Sequence, residues 1–322
     1  MFTDLGPGTF IAALALVFLM GFATQRGGTC LVAGIGAWMD HGRPDMLLAM
    51  LVAALAAGTI LWVASLAGTP PPLAASVAPG ILTVAGGIVL GLGAMVNGAC
   101  VFGSVARFGS GQIVYLLTPA GYLAGEVALA RFPPLLEASG LRPLEPMAGA
   151  LMAAGLLVAI LLWLAAGPGT NVRPPLLHRM ATSPSVATCV IGVAFAPLLL
   201  IAGPWTWPEL VRELVAEPGK AALAQRVSLL LTLLLGAAWG GWRGHRGRPA
   251  GIAAGQALRC LSGGALLALG ARLVPGSNDH LLLLGLPFLL PHALVALAAM
   301  AAAVSSLMVA TNAIRRSGRG WS

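Results

Sequence analysis

Apolar residues gather into nine long stretches, at 8–23, 45–67, 80–97, 112–131, 147–167, 186–203, 225–242, 250–274 and 283–311. Each approaches the roughly 20 residues that a helix needs to cross about 30 Å of hydrocarbon. Polar or Pro/Gly-rich connections separate them, such as Thr69-Pro70-Pro71-Pro72, Phe132-Pro133-Pro134, Gly167-Pro168-Gly169 and Gly203-Pro204-Trp205. Proline lacks the donor that a helix interior requires and polar connections need water, so these are breaks between helices. The pattern predicts an all-α membrane protein of about nine transmembrane helices in one integral unit.

Composition strengthens that reading. Of 322 residues, 58% are hydrophobic and 9% charged, with a mean hydropathy of +0.91, whereas soluble domains carry about 25% charged residues. An ordinary cytosolic enzyme, a disordered chain and a nucleic-acid binder are excluded, and the lipid bilayer is the implied surrounding. The net charge of +8 comes almost wholly from arginine, Lys220 being the one lysine. In so apolar a chain such an excess orients the protein in the bilayer. Alternate connections hold Arg26 and Arg43; Arg107; Arg173 and Arg179; and Arg243, Arg246 and Arg248, with Arg315, Arg316 and Arg319 in the tail. The opposite set is uncharged at 69–79 and mixed at 132–146 and 204–224. The positive-inside rule then puts the N-terminus outside and the C-terminus in the cytoplasm, as an odd number of spans requires. Residues 1–22 lack a basic n-region and a small-residue cleavage site, and read as a first span.

The third and eighth stretches end alike. Gly86-Gly87 and the run Gly93 to Cys100 recur as Gly263-Gly264 and the run Gly270 to Ser277, at a constant offset that sets Cys100 opposite Ser277. In the predicted topology the two copies end on opposite sides, which makes an inverted-topology repeat of the kind that transporters build around a midplane path. It divides the chain into halves at 1–170, with about five spans, and 171–322, with about four. After each copy the chain turns polar and Gly-rich, at 100–104 and 277–280. Irregular backbone at membrane depth is tolerated where protein buries it or a watery cavity faces it, so both segments are expected to be re-entrant half-helices; surface loops are the alternative.

The candidate path residues are Cys30, Cys100, Ser277, Asn278, Asp279, Asn97, Gly98, Gly276, Gln25 and Arg26. The segment 21–30 closes the first stretch with one cation and one thiol among glycines, which expose N–H groups that an anion can use. Arg26 also reads as a topology marker and Cys30 as a small packing residue. A thiol is a weak, polarizable donor, so a path lined by thiols suits a soft, sulfur-containing ligand, and weak contacts permit release. Cys189 and Cys260 lack the Gly-rich setting and read as packing residues. Among the ionisable groups inside spans, Glu126–Arg259 and Asp279–Arg272 are candidate pairs. No CxxC pair, zinc spacing, Walker loop, dinucleotide fingerprint or nucleophile elbow occurs, so no cofactor, metal or catalytic set is expected.

These motifs resemble the YeeE/YedE sulphur-transport family of bacterial inner-membrane proteins. The matching pieces are Gly21-Phe22, Gln25-Arg26-Gly27 and Cys30; Gly91 to Ala94 with Gly98-Ala99-Cys100; and Gly270 to Leu273 with Pro275-Gly276 and Asn278. The resemblance implies thiosulfate uptake through an hourglass of inverted halves, whose cysteines pass the ion by S–H hydrogen bonding. Cys30 and Cys100 match family cysteines, and Ser277 stands where the second repeat commonly has one. It also implies a bacterial inner-membrane location and a cytoplasmic sulfur-acceptor protein. The leading expectation is therefore a transporter or channel for a small sulfur-containing anion, thiosulfate or a related sulfur or selenium species. The alternatives are a membrane redox or sulfur-transfer component and a scaffold that transports nothing.

Overall fold

The computed structural model describes residues 5–71, 74–132, 183–216, 223–243 and 253–317, with 141–142, 149, 151, 153–156 and 158 between them. The expected fifth span at 147–167, the half boundary at 170/171 and the cations Arg173, Arg179, Arg246, Arg248 and Arg319 lie wholly or mostly outside the described residues.

Helix α1 (Pro7–Gly27) begins with proline in its first turn, where no donor is lost. It ends at Gly28, whose left-handed φ of 59° lets its N–H turn back to Gln25 O. Then follow α2 (Leu31–His41), α3 (Asp45–Leu66), α4 (Ile81–Asn97), α5 (Val101–Gly109), a 3-10 turn (Ile113–Leu116) and α6 (Leu117–Leu129). The later part holds α7 (Pro184–Ala202), α8 (Trp207–Ala216), α9 (Leu223–Arg243) and α10 (Ala254–Leu273). A single α turn, α11 (Asn278–His280), runs into a π turn (Leu281–Gly285), and α12 (Pro291–Ser317) closes the described chain. One two-residue antiparallel pairing, β1 (Ala74–Ala75) with β2 (Leu141–Arg142), is the exception to an otherwise helical fold.

Among the described residues six helices are long and apolar enough to cross a membrane: Pro7–His41, Asp45–Leu66, Ile81–Gly109, Pro184–Ala216, Leu223–Trp242 and Pro291–Ile314. A seventh span forms if Ala254–Leu273 and Asn278–Gly285, bent by 52°, count together. The chain is thus a multi-pass membrane protein. Several expected spans differ in extent. The fourth is a shorter apolar helix, Ile113–Leu129. The ninth divides: Pro291 opens α12, and Leu281–Gly285 joins the short segment before it, because a proline cannot continue a helix through its own missing donor. Segment 204–224, expected as a charged connection, contains α8. Its charges form ion pairs, Arg212 with Glu209 and Glu213 with Arg226 of α9, and Arg226 is only 4% exposed.

An offset of 177 residues carries α1 onto α7, α2 onto α8, α3 onto α9, α4 onto α10 and α5 onto Asn278–Gly285, each within a few residues at its ends. The packing follows the same rule. Helix α1 lies against α9 as α7 lies against α3; α4 lies against α12 as α10 lies against α6; and α2 meets α12 as α8 meets α6. The pairs α1–α7 and α4–α10 map onto themselves. Helices α4 and α10 cross so closely that a Cβ on Gly93 would stand 2.8 Å from Leu267 N, and one on Gly270 would stand 2.7 Å from Leu90 N. In a bilayer the tails are as apolar as leucine, so helices associate by such close packing through small residues. The glycines of the two similar sequence segments are those that this crossing requires.

Candidate functional site

The short helices begin where the long ones break. Cys30 precedes α2, Cys100 precedes α5 and Ser277 precedes α11, each in extended backbone. Cys100 (φ −77°, ψ −176°) and Ser277 (φ −74°, ψ 165°) have nearly the same conformation. Each carbonyl accepts the first bond of its helix: Gly34 N–H donates to Cys30 O, Ser104 N–H to Cys100 O and Leu281 N–H to Ser277 O, all at 2.9 Å.

These starts meet in the interior. Leu31 N–H donates to Cys100 Sγ at 3.3 Å, and Val101 N–H donates to Asn278 Oδ1 at 3.3 Å. Cys30 and Cys100 are thereby neighbours, Cys100 Sγ lying on the N–H that follows Cys30 and Cys30 Sγ lying against Gly103 of α5. Gly103 permits this approach, because a Cβ there would stand 2.6 Å from Cys30 Sγ. Ser277 Oγ donates to Asp279 Oδ1, which also accepts from His280 N–H at 2.9 Å. Five of the expected residues, Cys30, Cys100, Ser277, Asn278 and Asp279, therefore come together around buried helix starts.

Asn97 and Gly98 stand behind them as supports. Asn97 Nδ2 donates to Ala99 O at 2.7 Å and to Ser104 Oγ at 3.0 Å, while its Oδ1 accepts from Thr118 Oγ1 at 2.8 Å. Gly98 turns the chain with a φ of 78°, and Gly276, with a φ of 152°, does so before Ser277. Gln25 and Arg26 lie apart, at the far end of α5: Gln25 Nε2 reaches Ser110 Oγ at 3.5 Å. Arg26 closes α1, where a cation favours the negative end of the helix dipole.

The expected ion pairs take other partners. Arg272 pairs with Glu126 at 3.8 Å and donates to Phe132 O at 2.7 Å. Arg259 Nε donates to Val96 O at 3.0 Å. Cys189 contacts Ala49 O at 3.7 Å and Cys260 is buried, as packing residues would be. No group of three or more His, Cys, Asp or Glu among the described residues could hold a metal ion.

A narrow cavity opens beside the helix starts, with room for about one water-sized group. Val101, Phe102 and Asp279 form part of its wall. The thiols do not: Cys30 is 5% and Cys100 0% exposed, with Ser277 at 4%. The remaining wall includes Trp205, Thr206 and Trp207, which the sequence presented only as a break between helices. Two tryptophans around a threonine between apolar runs were the signal available for them.

No curated protein sequence matches the chain. Its residues 26–305, well over half its length, match the family model described as sulphur transport. That span runs from the first glycine–cysteine segment through both helix crossings to α12, and the chain belongs to the sulphur-transport family, the YeeE/YedE family that its motifs resemble.

Proposed function

We propose that the protein carries a small sulfur-containing anion, thiosulfate or a close sulfur or selenium relative, through a path at the meeting of its short helices. In this reading the halves 1–170 and 171–322 are inverted copies, with re-entrant segments at Cys100–Ser104 and Ser277–His280. The common 177-residue offset of helix bounds and helix contacts supports it. Inverted copies place two half-helix starts at one level of the bilayer, where their unpaired N–H groups favour an anion.

The observation that carries the proposal is the meeting of the two cysteine segments: Cys100 Sγ accepts the Leu31 N–H that follows Cys30, and Cys30 Sγ packs against Gly103, three residues after Cys100. A thiol pair offers S–H donors that bind a soft sulfur atom weakly enough to release it. Cys30 and Cys100 are both buried, so passage requires the surrounding side chains, Phe102 among them, to move aside. The arginine-bearing connections support an N-terminus outside and a C-terminus in the cytoplasm of a bacterial inner membrane. A cytoplasmic protein that accepts the sulfur fits the same orientation.

Uptake of labelled thiosulfate in cells lacking their own uptake systems tests the reading, with sulfite, sulfate and selenite as competitors. Wild type should take up the ion, Cys100→Ala should not, and Ser277→Cys should exceed wild type. Full uptake by Cys100→Ala would overturn a thiol path.

A further inference from the structure

The two halves are not chemically equal at the site. The offset that sets Ser277 against Cys100 also sets Trp207 against Cys30 and Thr206 against Thr29. One half thus presents two thiols. The other presents an indole N–H and hydroxyls in the same places. Sulfur is a soft partner, whereas indole N–H and hydroxyl groups are hard donors suited to oxygen.

Among the described residues the hard donors are left without a partner. Trp205, Thr206 and Trp207 are 1%, 6% and 3% exposed. Among the described residues, Trp205 Nε1, Thr206 Oγ1 and Trp207 Nε1 have no hydrogen-bond partner. Buried donors are almost always paired, so three orphans in consecutive residues require a reason. All three residues line the cavity beside Val101 and Asp279. The contrast with Thr29, Thr206's counterpart, is direct: its hydroxyl is satisfied by Thr188 Oγ1 at 2.8 Å.

The segment is held firmly. Trp207 packs edge-on against Tyr122 with ring centroids 5.4 Å apart, and Leu210 N–H donates to Thr206 O at 3.1 Å as α8 begins. Arg226 Nη2 donates to Pro204 O at 3.4 Å just upstream. Donors fixed in this way are pre-organised for a ligand. Ser277 does not join them, because its hydroxyl proton is committed to Asp279.

We propose that Trp205, Thr206 and Trp207 form a subsite for the oxygen atoms of the transported anion, distinct from the thiols that take its sulfur. The substrate class is then a sulfur oxyanion with a bare sulfur at one end and oxygens at the other, and the protein fixes its orientation as well as its identity. The inference rests on the sulfur-anion reading and adds the half of the site that the cysteines cannot supply.

The test is thiosulfate uptake, with sulfite or hydrosulfide as competitor, in cells lacking their own uptake systems. The variants are Trp207→Phe, Thr206→Val and Trp205→Phe, which keep shape while removing the donor. Trp62→Phe is the control, since Trp62 Nε1 is also buried without a partner but lies outside this cavity. Removing a donor should raise the KM for thiosulfate by about five- to tenfold, the effect of one lost hydrogen bond. Inhibition by sulfite should weaken in parallel, inhibition by hydrosulfide, which has no oxygens, should not change, and Trp62→Phe should match wild type. An unchanged KM, or equal weakening of sulfite and hydrosulfide, overturns the subsite. Loss of uptake in Cys100→Ala alongside unchanged Trp and Thr variants would leave the thiol path standing and remove only this inference. The reverse pattern would remove the thiol path and keep the subsite.

Discussion

Gly103 is the hinge on which the meeting of the two cysteine segments turns. A methyl group there would stand 2.6 Å from Cys30 Sγ and 3.0 Å from both Cys30 Cβ and Ala99 Cβ. Non-bonded heavy atoms rest at about 3.5–4.0 Å, so Gly103→Ala must push α2 and α5 apart by roughly 1 Å. Cys30 is 5% exposed and has no space to swing into. Overpacking of this kind costs about 1–3 kcal/mol, and it separates the two sulfurs. Removing the sulfur, as in Cys30→Ala, relieves the closest overlap but leaves the Cβ contact at 3.0 Å. The double variant should therefore be more stable than the sum of the two single changes, with a coupling of about 1 kcal/mol, as neighbouring residues show. Thermal unfolding of the detergent-purified protein reads the stabilities, and thiosulfate uptake reads the function. Gly103→Ala should melt several degrees below wild type and lose uptake, and the double variant should recover stability but not uptake. Additive destabilisation, or wild-type uptake by Gly103→Ala, would refute the claim that the two cysteine segments must meet.

Two further perturbations probe the surroundings. Asn97→Ala deletes three buried hydrogen bonds at once, those to Ala99 O, Ser104 Oγ and Thr118 Oγ1. Ser104 keeps its bond to Cys100 O, so at about 0.5–1.5 kcal/mol for each lost bond the loss is roughly 2–4 kcal/mol; a melting temperature within a degree of wild type would contradict it. Asp279→Asn keeps an acceptor for Ser277 and His280 and removes the carboxylate from the cavity wall. A like charge about 6 Å away at an effective dielectric near 20 costs an anion about 2–3 kcal/mol. The variant should therefore lower the KM for thiosulfate by tenfold or more, and an unchanged KM would mean that no charge at Asp279 meets the ion.

Much of the fold was legible because lipid imposes a coarse rule: long apolar runs become helices. The exceptions have local causes. Helices α2 and α8 are short and carry glycine or charge, so they lacked the length signal, and the charges of α8 find partners on its own turn and on α9. The ninth apolar run is broken near its start, where Gly285, Pro287 and Pro291 bound the turn, too short a stretch to separate from the long run after it. The likeness was legible between 86–100 and 263–277, where glycines pack the α4–α10 crossing. Elsewhere the offset-matched segments share helix bounds but little sequence, so nothing in the sequence marks Trp207 as the counterpart of Cys30. Cys100 and Ser277, matched by sequence, share a backbone conformation. The partners of Arg272 and Arg259 were not readable, because they lie 140 and 163 residues distant at Phe132 and Val96.

The most direct measurement of the central claim uses purified protein reconstituted in liposomes, where no cellular partner contributes. Labelled thiosulfate should enter vesicles holding wild type and should not enter those holding Cys30→Ala/Cys100→Ala, at equal reconstitution and with both proteins folded. Equal uptake by the two would contradict a path through the thiols.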